Sequence, residues 1–176
     1  MYKLGMYCSG GEVDKCRERL IQYCSGNGLD IGCGGVNCDN RYYNENKITP
    51  VSIGIDLAKT NLTGKADNLY WFNDECIDYV FSSHLLEHLQ HPWDALVEWF
   101  RVLKVDGYVV MYLPLKDHYP NVGEVGANLD HKHNLTPHVV LQWLKSKNLL
   151  FNIIKVELRT GGDEYSFDFV IQKRGN

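Results

Sequence analysis

The spacing of apolar positions changes from segment to segment along this chain, and the changes mark out its elements. Val13, Cys16, Leu20 and Cys24 recur at helical spacing, which predicts an amphipathic helix over 12–25 that Gly26 and Gly28 stop. Leu29-Asp30-Ile31 then reads as a short strand running into glycines, and the run 51–55 reads as a second strand ending on Asp56. A weak third strand is expected around 66–71 and a fourth at Ile77-Asp78-Tyr79-Val80-Phe81. Pro92 opens a helix whose apolar stripe is Trp93, Leu96, Val97, Phe100 and Leu103, with Asp106-Gly107 as its expected end. Tyr108-Val109-Val110-Met111-Tyr112-Leu113 has the unbroken apolar character of a strand covered on both faces. Periodicity then disappears over 114–135, a long polar loop rich in His, Asn, Gly and Pro. Thr136 as N-cap and Pro137 in the first turn begin another helix, with Val139, Val140, Trp143 and Leu144 facing inward. Two alternating strands, 151–158 and 166–172, close the chain around the turn Gly161-Gly162-Asp163.

Strands alternating with helices and ending in an antiparallel hairpin predict a three-layer α/β/α domain on a mostly parallel sheet. The 176 residues are read as one such domain, with residues 1–11 a loose glycine-rich segment and 114–135 a substrate loop. The polar, tyrosine-rich stretch 38–47 leaves room for only a short or irregular crossover helix before Pro50. In a sheet of this kind ligands bind beyond the carboxyl ends of the strands, where the strand order reverses. Asp30, Asp56, Ser82 and Ser83 are expected to meet there.

Composition narrows the function. A net charge of −4 with no basic block gives no footprint for nucleic acid or an anionic membrane, and no apolar run is long enough to span a bilayer. The six cysteines include no C-x-x-C pair, so reduced thiols in a cytoplasmic protein are expected rather than a zinc cluster or disulfides.

The candidate chemistry begins at Asp30-Ile31-Gly32-Cys33-Gly34. A dinucleotide turn would carry a third glycine where this chain has Asn37, and the Asp30 carboxylate would face the pyrophosphate. A carboxylate there suits a ligand bearing an ammonium and a sulfonium, and Asp56 is placed to accept both hydroxyls of a ribose. These residues resemble the D-x-G-x-G motif of the class I S-adenosylmethionine (SAM)-dependent methyltransferases. Three further stretches are similar to that family in the same order: Phe72 to Val80, Ser83-His84-Leu85-Leu86-Glu87-His88-Leu89, and Arg101 to Gly107, with Val105 and Asp106 in place of Pro and Gly. The resemblance covers 12–113 well and the rest loosely. It implies a seven-stranded sheet with its last strand antiparallel, and SAM as cofactor, leaving S-adenosylhomocysteine after transfer. It also implies that Asp30, Ile31, Gly32, Cys33 and Gly34 hold the methionine moiety, with Asp56 on the ribose, Leu57 on the adenine, and Asp67-Asn68-Leu69 and Ser83 completing the pocket.

Two constellations compete for the remaining residues. His84-Leu85-Leu86-Glu87-His88 has the spacing H-x-x-E-H, which on a helix would hold zinc with Glu87 as general base of a hydrolase. Pro92 closes this segment after two turns and no acidic ligand follows on a second helix, so no metal is expected. The other reading makes His84, His131 or His133 a neutral imidazole that takes a proton from an acceptor hydroxyl. The leading expectation is methyl transfer to a polar small molecule at O or N by a monomer or weak homodimer. The alternative is a methyltransferase-like SAM-binding module acting through partners.

Overall fold

A computed structural model describes residues 11–34, 47–57 and 60–175. The expectations for the N-terminal segment and for the crossover 38–46 lie outside these residues. Seven strands form one sheet: β1 (Gly28–Ile31), β2 (Ile53–Asp56), β3 (Leu62–Thr63), β4 (Ile77–Ser83), β5 (Leu103–Pro114), β6 (Phe151–Arg159) and β7 (Ser166–Lys173). Their order is β3-β2-β1-β4-β5-β7-β6, with β7 antiparallel to both of its neighbours and every other pair parallel. Three α-helices accompany them: α1 (Gly11–Leu20), α2 (Pro92–Val102) and α3 (Pro137–Ser146).

Side-chain alternation along the central strands sorts the core into two layers. Tyr79 and Phe81 of β4, Val110 and Tyr112 of β5 and Val170 of β7 pack with Val13, Cys16 and Leu20 of α1. The intervening residues, Val80, Val109, Met111, Leu113, Phe167 and Phe169, pack with Leu96 and Trp99 of α2 and Val140 and Leu144 of α3. Coverage on both faces is why β5 carries apolar residues without a break from Tyr108 to Leu113. Residue 28 must be glycine for space: a Cβ there would lie 1.9 Å from Cζ of Tyr79.

Two elements differ from the sequence expectation. The third strand is Leu62–Thr63, and 66–72 is a series of turns instead. Asp67-Asn68 is turn chemistry, and Ala66 and Leu69 anchor the segment in the core with Phe72 packed beside them. Arg101 of α2 donates to the carbonyls of Leu69 and Phe72, and Trp99 Nε1 donates to that of Ala66. Helix α2 also stops earlier than expected, at Val102, and Leu103 already pairs with Ile77 as the start of β5. Leu103 fitted the helical stripe because it is buried, but it is buried as a strand residue. The turn at 106–107 falls inside β5, with Asp106 left-handed and a Cβ on Gly107 only 2.8 Å from the Asp78 carbonyl. Helix α3 starts as its sequence dictates, with Thr136 Oγ1 accepting the Val139 amide at 3.2 Å.

Candidate active site

Beyond the carboxyl ends of β1 and β2 lies a cleft of about 300 Å³. Ile31, Gly32, Ile55, Asp56 and Leu57 form its floor, and the turn carrying Gly64, Ala66 and Asp67 forms one wall. Leu85, His88 and Leu89, from the segment after β4, form the other wall, and Lys132 reaches in from the long loop. Gly32 and Gly34 both have left-handed backbones, at φ of 76° and 72°. The Gly32 amide donates to the Ile55 carbonyl at 2.8 Å, and the Gly34 amide donates to Asp56 Oδ2 at 3.0 Å. The glycine turn therefore folds back over the second strand and fixes the acid at its end. β1 pairs with β2 on one side and β4 on the other, so the cleft sits where the strand order reverses.

Ile31, Gly32, Asp56, Leu57 and Asp67 line this cleft. Asp30 lies beneath it, 1% exposed, with Oδ2 accepting the Ile48 amide at 2.6 Å; burial pushes its carboxyl up to about 7. Cys33 is buried with Sγ 3.3 Å from Thr60 Oγ1. Asn68 is exposed on the turn, Leu69 is in the core, and Ser83 is buried at the end of β4.

Behind the His88 wall is a polar cluster of side chains, called the polar pocket below. Glu87 is fully buried, and neither of its carboxylate oxygens has a hydrogen-bond partner among the described residues. Its Oε1 faces three imidazoles: His84 Nδ1 at 3.5 Å, His88 Nε2 at 3.8 Å and His131 Nε2 at 3.9 Å. Burial raises the Glu87 carboxyl to about 8, lowers His84 to about 3 and His131 to about 4, and lowers His88 as well. Burial thus disfavours the charged form of every member of this cluster. His84 is held on its other side by Ser166 Oγ, 3.0 Å from Nε2, and adopts a left-handed φ of 48°. His133 stands apart from the pocket: its Nε2 lies 2.9 Å from the Leu89 carbonyl and its ring packs edge-on against Trp143. The H-x-x-E-H spacing does not present two histidines on a helix face, because His84 is a bend just after β4 and only Leu86–His88 form a short 3₁₀ turn.

The methyltransferase domain family model matches residues 29–111, from β1 through most of β5. That stretch carries a methyltransferase domain, and the fold is the class I SAM-dependent methyltransferase fold. No curated protein sequence matches it. Among solved structures, a SAM-dependent methyltransferase from Archaeoglobus fulgidus is similar at 20% identity and TM-score 0.65, over 93% of this chain and 95% of that one. The 1,6-didemethyltoxoflavin-N1-methyltransferase of Burkholderia thailandensis, with its substrate and S-adenosylhomocysteine bound, matches at 12% identity and TM-score 0.67, over 95% and 80%. The [4+2]-cyclase SpnF shares the fold at 16% identity and TM-score 0.67, over 93% and 82%.

In this methyltransferase domain, sequence reasoning weighed His88 as a zinc ligand and Lys132 only as part of the acceptor loop; His88 borders both the cleft and the polar cluster, and Lys132 Nζ donates to the His88 carbonyl at 2.6 Å. It treated Glu87 only as a hydrolase base. The signal for both Glu87 and His88 was the H-x-x-E-H spacing itself. The partnership with His131 was not visible, because a loop with no periodicity supplies it.

Proposed function

We propose that this methyltransferase binds SAM in the cleft above β1 and β2 and transfers its methyl group to a polar small-molecule acceptor at oxygen or nitrogen. The observation that carries this reading is the position of His88, which borders the cleft and belongs to the Glu87 pocket. Asp56, fixed by the Gly34 amide, takes the ribose hydroxyls, Leu57 lies against the adenine, and the turn at Asp67 borders that end. Asp30, Cys33, Gly34, Asn68, Leu69 and Ser83 support the same cleft from below and from its sides. The acceptor enters under 114–135 and presents its nucleophile to the sulfonium methyl. The nucleophile's electron pair forms the new bond to carbon, and the C–S bond breaks with its pair returning to sulfur, giving S-adenosylhomocysteine. The acceptor proton passes to a neutral imidazole, that of His84 or His131. Positioning two reactants this way supplies on the order of 7–11 kcal/mol in favourable cases.

Calorimetry with S-adenosylhomocysteine tests the first half. Asp56→Asn keeps an acceptor for the Gly34 amide but removes the charge that strengthens the ribose bonds, and affinity should fall roughly 10- to 100-fold. Absence of binding in the parent protein refutes the reading. Turnover on a panel of hydroxyl and amine acceptors tests the second half: losing the base should lower kcat by roughly 10²–10⁴ with cofactor affinity unchanged.

A second reading, a SAM-binding module that acts through a partner, is supported by edge strand β6. It leaves Ile153, Ile154, Val156 and Leu158 exposed beside an unpaired backbone edge. Cofactor binding without turnover on any acceptor favours it.

A further inference from the structure

We infer that Glu87, His88 and His131 form a binding site for one divalent transition-metal ion. One oxygen or nitrogen from each of these residues falls within 4.8 Å of the other two. The separations from Glu87 Oε1, 3.8 Å to His88 Nε2 and 3.9 Å to His131 Nε2, are too long for hydrogen bonds. They are close to the spacing of donors that share an ion: metal–nitrogen and metal–oxygen bonds of about 2.1 Å in a tetrahedral set place neighbouring donors about 3.4 Å apart. The two separations from Glu87 are within a few tenths of an ångström of that spacing, and the two imidazole donors lie within 4.8 Å of each other.

The carboxylate is the second, independent observation. Glu87 is wholly buried, and both of its oxygens lack hydrogen-bond partners among the described residues, although Oε1 faces imidazole nitrogens. A buried carboxylate without donors is costly to maintain, and a cation supplies what the hydrogen bonds do not. The donors are also fixed from outside. The amides of Lys132 and His133 both donate to the Glu87 carbonyl, at 2.7 and 3.3 Å, and His133 Nε2 lies on the Leu89 carbonyl. These bonds join the loop to the short turn 86–88, so His131 meets Glu87 and His88 at a set position. Tyr119 packs on the His131 ring at 4.9 Å, and the His88 ring hydrogen-bonds the Asp130 backbone. Such outer contacts are what orient imidazole ligands.

Two imidazoles and one carboxylate select a borderline first-row ion such as Zn²⁺, Mn²⁺ or Fe²⁺ over Ca²⁺ or Mg²⁺. Three protein ligands leave at least one position open, and His88 sets that position beside the cleft. The assignment makes Glu87 a ligand where the spacing alone suggested a base. It gives His131 a ligand's role and leaves His84, outside the three-residue set, as the imidazole that accepts a proton. The sequence expectation of no metal looked for its further ligand on a second helix; the loop at His131 provides it.

The test uses the full chain, stripped with chelator and titrated separately with Zn²⁺ and Mn²⁺, followed by Co²⁺ absorption spectroscopy. One ion per chain is expected at micromolar affinity or better, with visible Co²⁺ bands of a four- or five-coordinate site. Glu87→Gln and His88→Ala should each weaken binding at least 100-fold, whereas His91→Ala, on a histidine outside the set, should not. His88 is partly exposed, so its variant keeps the test decisive if Glu87→Gln fails to fold. Absence of stoichiometric binding by either ion, or binding indifferent to both ligand variants, overturns the site. S-adenosylhomocysteine titrated in parallel separates this outcome from failure of the methyl-transfer reading, since cofactor binding without metal refutes the site alone.

Discussion

Replacing Asp30 with asparagine should change how stability depends on pH, and the size of the effect follows from where the carboxyl sits. Asp30 is in the middle of the sheet, 1% exposed, and burial outweighs the Ile48 amide and the nearby Lys47 and Arg17 charges to raise it from 3.8 to about 7. A carboxyl raised on folding stays protonated in the native state while the unfolded chain ionises. Its contribution therefore falls as pH rises through the interval between the two values. With 3.8 unfolded and about 7 folded, the ionisation penalty is about 2 kcal/mol at pH 5 and about 4 kcal/mol at pH 8, a change of about 2–3 kcal/mol. Asparagine keeps an oxygen for the Ile48 amide and cannot ionise. Glu87 titrates in the same sense as Asp30 and the lowered histidines in the opposite sense, so the parent profile alone is ambiguous. The difference between parent and variant is not. Urea unfolding of both, without cofactor, should show the parent losing about 2–3 kcal/mol relative to Asp30→Asn from pH 5 to pH 8. At an m-value near 2 kcal/mol/M, that is a relative midpoint shift of about 1 M. A difference that is flat, or that rises with pH, would show that Asp30 is ionised in the folded protein and that its burial does not govern its charge.

Two further perturbations probe the scaffold that holds the cleft. Gly28→Ala places a methyl within 2.1 Å of the Tyr79 ring, whose hydroxyl is bonded to Thr49 and Ser52, so thermal unfolding should show a loss of at least about 2 kcal/mol; an unchanged midpoint would mean the ring moves freely. Asp168, fully buried in β7, meets Arg19, Lys155 and Arg159 at 3.1–3.2 Å, and Asp168→Ala should cost about 3 kcal/mol by chemical denaturation because three partly buried cations lose their shared partner; a loss below about 1 kcal/mol would mean Glu157 and Glu164 compensate.

Wherever burial and local chemistry pointed the same way, the chain could be read directly. Thr136-Pro137 specifies the start of α3, the unbroken apolar run specifies β5, and Asp-x-Gly-x-Gly followed by Asp56 specifies the floor of the cleft, because each signal is local. Legibility failed where position in the core overrode local pattern. Leu103 fits a helical stripe but belongs to a strand, since burial looks the same in either element. Leu69 lies in the core without belonging to a strand, because the bonds from α2 to 66–72 come from 29 to 33 residues away in sequence. The polar pocket failed for the same reason. Its spacing H-x-x-E-H was visible, but the strand end at His84 and the loop at His131 are brought together by tertiary structure alone.

The fold by itself leaves the reaction open, since one with TM-scores near 0.65 to this chain is shared by proteins described as methyltransferases and as a cyclase. A glycine turn and an acid at the end of the second strand explain a cofactor cleft; they do not explain why a fully buried glutamate and three histidines lie behind its wall. His84 shows that this placement is not incidental to packing. A non-glycine residue in the left-handed region carries on the order of 1–3 kcal/mol of strain unless its surroundings enforce it. Glycine would relieve that strain at the end of β4, yet the chain holds a histidine there, its Nδ1 3.5 Å from Glu87 and its Nε2 3.0 Å from Ser166. Strain kept at a strand end, next to a carboxylate kept without hydrogen bonds, is a double expense that a purely structural cluster would shed by simple substitution. The methyl transfer and the metal site proposed above therefore both turn on the segment 84–88 and its contact with His131.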